Sequence, residues 1–276
     1  MQWIASGFLY GSLMPPKPES ENKQQYITFL VTNRHVLEGL TNAYIRVNPK
    51  ERKVPEDYEL ELKSNAGKLW FAHPDAAVDV AVYPGSMAFF QERGMQVDFF
   101  PNDQVVAGRS KLVDLGVAEG DFVYVLGFPM GLVGVERNLA IVRQGVLARV
   151  SDALLNPSHN YLIDAFIFPG SSGGPVILKP ELAHIKETEH VKGTKPIPLP
   201  FLIGLVKEYI SYQEVAISPQ TRRPRIVFEE NSGLAEVIPI DRVQECIDAW
   251  LSSQNPSVLS SNSVQVALTN TSASTR

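Results

Sequence analysis

The sequence predicts an all-β fold of the sandwich or barrel kind, closed by one C-terminal helix. Three observations lead there. Short apolar runs rich in β-branched and aromatic residues recur along the chain; Gly, Pro, Asn and Asp punctuate them; and helical periodicity is scarce before residue 235. The runs fall at 26–32, 43–47, 78–83, 122–128, 140–150, 161–168, 176–178, 201–206 and 225–228. Each has the length and composition of a strand.

The helix is read from its period. Between residues 240 and 251, Val243, Cys246, Ile247, Trp250 and Leu251 recur at helical spacing and make one apolar face. Pro239 suits its first turn, and Asp241 sets a negative charge near the positive end of its dipole. That face is expected to dock on the body, with Trp250 buried and Cys246 a small core residue. Residues 13–25, 179–200 and 211–232 read as loops, being rich in proline and charge. The last carries Thr221-Arg222-Arg223-Pro224-Arg225, read as solvated. The polar segment 253–276 has too few large residues to bury and reads as a disordered tail.

Composition narrows the function. The 276 residues are 44% hydrophobic and 20% charged, within the range of a globular protein. A net charge of −5 without a long basic run argues against nucleic acid as partner. No apolar run reaches the roughly 20 residues that span a bilayer. The N-terminus lacks the basic start and apolar core of a secretory signal. The single cysteine, Cys246, excludes an intramolecular disulfide and fits a reducing compartment. A cytoplasmic location is the expectation.

Chemistry concentrates in Phe168-Pro169-Gly170-Ser171-Ser172-Gly173-Gly174-Pro175. A serine attacks a carbonyl well only where backbone N–H groups already face the oxyanion that forms. Turning successive N–H groups into one small hole needs glycine's backbone freedom. A serine also needs a base. His35 follows the run 26–32 directly, after a small polar pair; His73, His159, His184 and His190 have no such setting and read as loop residues. A histidine base in turn needs a carboxylate to orient it. Asp79 lies in Ala76-Ala77-Val78-Asp79-Val80-Ala81-Val82, where an acid is costly to bury without a partner. Asp75 and Asp98 sit in polar surroundings.

These residues resemble the trypsin-like, chymotrypsin-fold serine peptidases, and among them the HtrA/Deg-type branch. From Ile4 to Leu251 the motifs run in order. Ser6-Gly7-Phe8-Leu9 resembles the opening strand, Thr32-Asn33-Arg34-His35-Val36 the histidine motif and Asp79-Val80-Ala81-Val82 the aspartate motif. Gly127-Phe128-Pro129-Met130-Gly131-Leu132 and Arg143-Gln144-Gly145-Val146-Leu147 are similar to segments of the second barrel. Residues 164–175 match the nucleophile segment, and Ile203-Gly204-Leu205 with Ile238-Pro239-Ile240 complete the series. The order His, Asp, Ser is that of chymotrypsin, the worked case of the triad.

The resemblance implies two perpendicular six-stranded antiparallel β-barrels, at about 1–105 and 106–238, with the C-terminal helix at 239–252 completing a peptidase domain of 1–252. The cleft between the barrels would hold the triad, with Ser172 as nucleophile, His35 as general base and Asp79 orienting it. The pattern Gly-x-Ser-Gly-Gly-Pro assigns attack to Ser172 and leaves Ser171 at the variable position. The N–H groups of Gly170 and Ser172 would form the oxyanion hole, and no metal or cofactor is called for. Phe166, six residues before the nucleophile, would make the primary pocket apolar and favour small or aliphatic residues at the cleaved position. Leu205, Val206 and Lys207 would pair with the substrate backbone.

Two departures from the HtrA pattern stand out. No PDZ-like domain follows residue 252, and the three loops are longer than a minimal member carries. The loops 13–25, 179–200 and 211–232 are therefore candidate docking sites for an activating protein. The rival reading is a silent or latent protease-like module that binds peptides. HtrA-type relatives form trimers through N-terminal segments; this chain starts almost at the first strand, and a monomer is expected.

Overall fold

The computed structural model describes residues 2–15, 24–51, 54–185, 194–254 and 268–270. Strands dominate it, as the punctuated apolar runs predict.

The first half opens with β1 (Phe8–Leu13) and β2 (Tyr26–Thr32), whose registers pair Phe8 with Val31 and Leu13 with Tyr26. A single helical turn, α1 (Arg34–Leu37), follows β2. Gly39, at φ +80°, then turns the chain into β3 (Asn42–Pro49) and β4 (Glu56–Glu61). Short strands β5 (Lys63–Ser64), β6 (Gly67–Lys68) and β7 (Phe71–Ala72) lead to β8 (Ala81–Gly85). After α2 (Met87–Glu92) come β9 (Met95–Gln96) and β10 (Phe100–Pro101).

These strands make two main sheets, β10-β1-β2-β8-β7 and a second containing β4-β3-β9. The first half thus departs from a closed six-stranded ladder. After α1 the chain pairs β3 with β4 rather than with β2, which leaves a seam. Between the sheets lies a cavity of about 540 Å3, lined among others by Phe8, Leu37, Ile45, Phe90 and Phe100.

The second half does close. It begins with α3 (Arg109–Leu115), β11 (Phe122–Gly127), β12 (Ile141–Arg149), α4 (Ser151–Leu155), β13 (Tyr161–Asp164) and β14 (Pro175–Leu178). A small hairpin, β15 (Glu181–Ile185) with β16 (Thr194–Ile197), follows, and then β17 (Phe201–Ile217) and β18 (Pro224–Pro239). The order β11-β12-β13-β18-β17-β14 returns on itself as a six-stranded barrel. Val123, Val125, Leu147, Ile163, Val176, Leu178 and Val237 fill it from alternate positions.

The expected C-terminal helix is α5 (Ile240–Ser253), with Pro239 as its N-cap residue. Its buried face is Ile240, Val243, Cys246, Ile247 and Trp250, and the Trp250 ring meets Phe29 edge-on at 5.2 Å. Cys246 is fully buried, and burial pushes its thiol pKa up to about 12, as fits a core residue. Among the described residues no helix is long and apolar enough to cross a membrane.

The segment read as the loop 211–232 is ordered differently. β17 and β18 run on past the barrel as a two-stranded ribbon, paired from Ser211–Asn231 to Ile217–Pro224. Of the other expected loops, residues 16–23 and 186–193 lie outside the described residues. So does the polar tail, apart from β19 (Leu268–Asn270), whose backbone pairs antiparallel to β4.

Candidate active site

The site is assembled from the end of β2, the turn before β8 and the loop before β14. β2 ends at Thr32 and delivers His35 into α1. The Nδ1 atom of His35 lies 2.6 Å from Asp79 Oδ2, and the His35 backbone N–H donates to Asp79 Oδ1 at 3.0 Å. The carboxylate therefore binds both the ring and the backbone of the same histidine and fixes its orientation. Buried Asn33 explains the polar pair before it: its side-chain amide donates to the Asp79 carbonyl at 3.0 Å. The Arg34 guanidinium adds a bond to the Ala76 carbonyl.

The electrostatics follow from this pair. Hydrogen bonding to Asp79 raises the His35 pKa above its ordinary 6.5, against an opposing effect of burial. The negative charges of Asp79 and Glu208 add to the rise, and the Lys207 ammonium subtracts from it. Burial works to raise the Asp79 pKa, but the hydrogen bonds from His35 prevail and the carboxyl is held below its usual value. The imidazole is half exposed, whereas Asp79 is largely covered.

The glycine-rich loop packs against the same edge. Gly173 has φ +81°, and a Cβ there would fall 2.3 Å from Thr32 Oγ1 and 2.4 Å from the Ser6 carbonyl. Only glycine lets this loop approach the end of β2 so closely. Gly170, at φ +94°, sits under the Phe128 carbonyl, 2.6 Å from a notional Cβ. Within this loop the N–H groups of Ser171, Gly173 and Gly174 donate to Phe168, Val206 and Ser171. Among the described residues those of Gly170 and Ser172 donate to no protein acceptor. Ser171 is buried and Ser172 partly exposed.

One positioning residue was missed from the sequence. Ser6 donates through its hydroxyl to the Gly170 carbonyl at 2.7 Å and accepts from the Phe128 N–H at 2.9 Å. Its own N–H donates to the Ser172 carbonyl at 2.9 Å, and its carbonyl accepts from Thr32 Oγ1 at 2.9 Å. The one signal in the sequence was a small polar residue two positions before the first strand.

A family model described as a trypsin-like peptidase domain matches residues 5–180. The chain belongs to that family. The match does not single out the HtrA/Deg-type branch, and it stops before β17 and β18, which close the barrel behind the peptidase's nucleophile loop. Among solved structures, the crystal structure of protease Anisep from Arthrobacter nicotinovorans is similar at 10% identity. The alignment covers 91% of this chain and 97% of that one, with a TM-score of 0.36. No curated protein gives a match.

Of the expected triad of this peptidase domain, His35 and Asp79 are in direct contact, and Ser172 is tied to their edge through Ser6 and Thr32. Among the described residues no hydrogen bond joins the Ser172 hydroxyl to His35. Phe166 is 59% exposed, so its ring offers an open apolar surface rather than the floor of a closed pocket. Its neighbours fix that segment: the Ala165 N–H donates to the Gly233 carbonyl, and Asn231 donates to the Ile167 carbonyl.

Leu205 and Val206 serve the fold. Leu205 is buried against Pro175, and Val206 uses its carbonyl and N–H on Gly173 and Gly174. Among the described residues the unpaired edge of β17 therefore begins at Lys207. The Lys207 ammonium is bound by Glu236 at 2.7 Å and Glu208 at 2.9 Å, and these bonds raise its pKa against the effect of burial.

His73, read as a loop histidine, is a buried structural one. Its Nε2 is 3.2 Å from Glu245 Oε2 on α5, and its Nδ1 accepts from the Asp75 N–H. His159 is a loop residue near Asn156. The side chain of His184, and His190 altogether, lie outside the described residues.

Proposed function

We propose that this peptidase domain is a serine endopeptidase with Ser172 as nucleophile, His35 as general base and Asp79 as its orienting carboxylate. The observation that carries the reading is the double engagement of His35 by Asp79, at 2.6 Å through the ring and 3.0 Å through the backbone. With Nδ1 held by Asp79, Nε2 is the nitrogen that takes the Ser172 proton as Oγ bonds to the scissile carbonyl carbon. The oxyanion formed there is met by the Gly170 and Ser172 N–H groups. His35 then returns the proton to the leaving amine as the C–N bond breaks, and water, activated by the same histidine, releases the acyl group. The exposed ring of Phe166 offers apolar contact to the residue at the cleaved position, without the size limit that a closed pocket would set.

A second reading, a latent or binding-only module, is favoured by one observation, the missing bond between Ser172 and His35. Labelling with a fluorophosphonate separates the two. Wild-type labelling that vanishes in Ser172→Ala and His35→Ala supports the endopeptidase. A folded wild type that stays unlabelled leaves the latent module.

A further inference from the structure

The β17–β18 ribbon leaves one edge of β17 unpaired beside the cleft. β17 continues for eleven residues past Val206, to Ile217, a reach of about 35 Å. On one side it pairs with β18 throughout; on the other, β14 stops at Leu205. From Lys207 outward that second edge carries no strand among the described residues. The root of the ribbon belongs to the site. Val206 holds Gly173 and Gly174, Glu208 and Lys207 act electrostatically on His35, and Asn231 and Gly233 bind the segment that carries Phe166.

The outer part of that edge is unprotected. Free strand edges are ordinarily blunted by proline, lysine or a bulge. The root of β17 has Lys207 and register shifts at Val206/Glu208 and Tyr209/Ser211, but between Ser211 and Ala216 there is no proline, no lysine and no register shift. An isolated two-stranded ribbon is marginal in water, yet this one exposes Tyr212, Val215, Ile217, Ile226, Val227 and Phe228. One face alternates aromatic with acid, because Tyr212 pairs with Glu230 and Glu214 with Phe228. Glu229 adds to the negative charge, while Lys207, at the root, is already bound by two glutamates.

We propose that the free edge of β17 binds an extended substrate polypeptide as an added antiparallel strand, reaching well beyond the cleft, and that Glu214 and Glu230 select Lys or Arg in it. The proposal rests on the peptidase reading above. Strand direction fixes which part of the substrate is read. β17 runs outward from the cleft, so an antiparallel partner with its cleaved bond at Ser172 lays its N-terminal side along the ribbon. Continuity with the cleft favours a substrate over a second copy of the chain as occupant.

The test compares fluorogenic peptides that share one cleaved bond and carry four, seven or ten residues upstream, with either Lys or Glu at the added positions. The Lys series is expected to gain about tenfold in kcat/KM with length, mainly through KM, as a few backbone hydrogen bonds are added. The Glu series gains little, and Glu214→Lys with Glu230→Lys reverses the preference. A variant with residues 212–230 replaced by Asn-Gly should keep wild-type fluorophosphonate labelling and lose the length dependence. Equal length dependence in the shortened variant overturns the proposal. So does a dimer that shortening abolishes, with no length dependence. Anisotropy of the same labelled peptides on Ser172→Ala reads ribbon binding separately: if wild type fails to label, the peptidase reading falls while this measurement still decides the ribbon. The charge reversals keep the test decisive should the shortened chain misfold.

Discussion

At Ser6 four hydrogen bonds meet, and each reaches a different part of the site: Gly170, Ser172, Phe128 and Thr32. Removing the hydroxyl leaves the Gly170 carbonyl and the Phe128 N–H without their partner, a loss of about 1–3 kcal/mol for buried groups. Ser6→Ala should therefore stay folded yet label with fluorophosphonate at least tenfold more slowly than wild type; an unchanged rate would mean that the loop holds itself. The pair His35–Asp79 makes a second prediction, through pH. The proposed mechanism needs neutral His35, whose pKa is raised, so kcat/KM should fall as pH drops through a midpoint above 6.5. Glu208→Gln removes a charge that favours the imidazolium, so this acid limb should move to lower pH; a limb that stays put removes Glu208 from the site's electrostatics. Asp79 was legible because an acid inside an apolar run demands a partner. Ser6 was not, because a lone small polar residue has many structural uses, and its four partners are assembled only by the fold.

Elements were legible in proportion to their periodicity. α5 showed itself in a strict helical repeat of apolar residues, and β2 in an unbroken apolar run. The ribbon was hidden because Ser, Pro and charged residues at its turn outweighed the β-branched residues flanking it. The turn is built by Ser218, whose carbonyl accepts from the Arg222 N–H and whose N–H donates to the Arg223 carbonyl. α3 was hidden for another reason: its cap is not local. Gly108, its N-cap residue, has no side chain to offer, and the Arg109 N–H instead donates to the Asp241 carboxylate at 3.0 and 3.2 Å. One residue thus serves the first turns of two helices, α3 by hydrogen bonding and α5 by charge. Asp241→Ala is expected to lower stability by about 1–2 kcal/mol in urea denaturation. Asp241→Asn, which keeps an acceptor but not the charge, should recover part of that. Equal losses would mean that the charge alone matters.

The whole molecule depends on how its halves are joined. The cluster around α5 draws Phe8, Phe29, Val31, Val80 and Val82 from the first half and Leu202, Leu205 and Ile238 from the second. Ile238 and Leu205 lie at the root of the strands that hold the nucleophile loop, and Val80 adjoins Asp79. A core shared in this way sets the distance between His35 and Ser172, because neither half can shift without opening it. Trp250 is the largest side chain that α5 contributes, set edge-on against Phe29. Trp250→Ala should cost about 3–5 kcal/mol, and the loss should appear as one cooperative transition moved to lower denaturant. Probes in the two halves, Trp70 fluorescence in a Trp3→Phe background and fluorophosphonate labelling at Ser172, should then lose signal together. If labelling is lost at a denaturant concentration where Trp70 still reports a folded first half, the halves are independently stable. The cleft would then be held by the Ser6 contacts, and Ser6→Ala would become the more damaging of the two substitutions for activity.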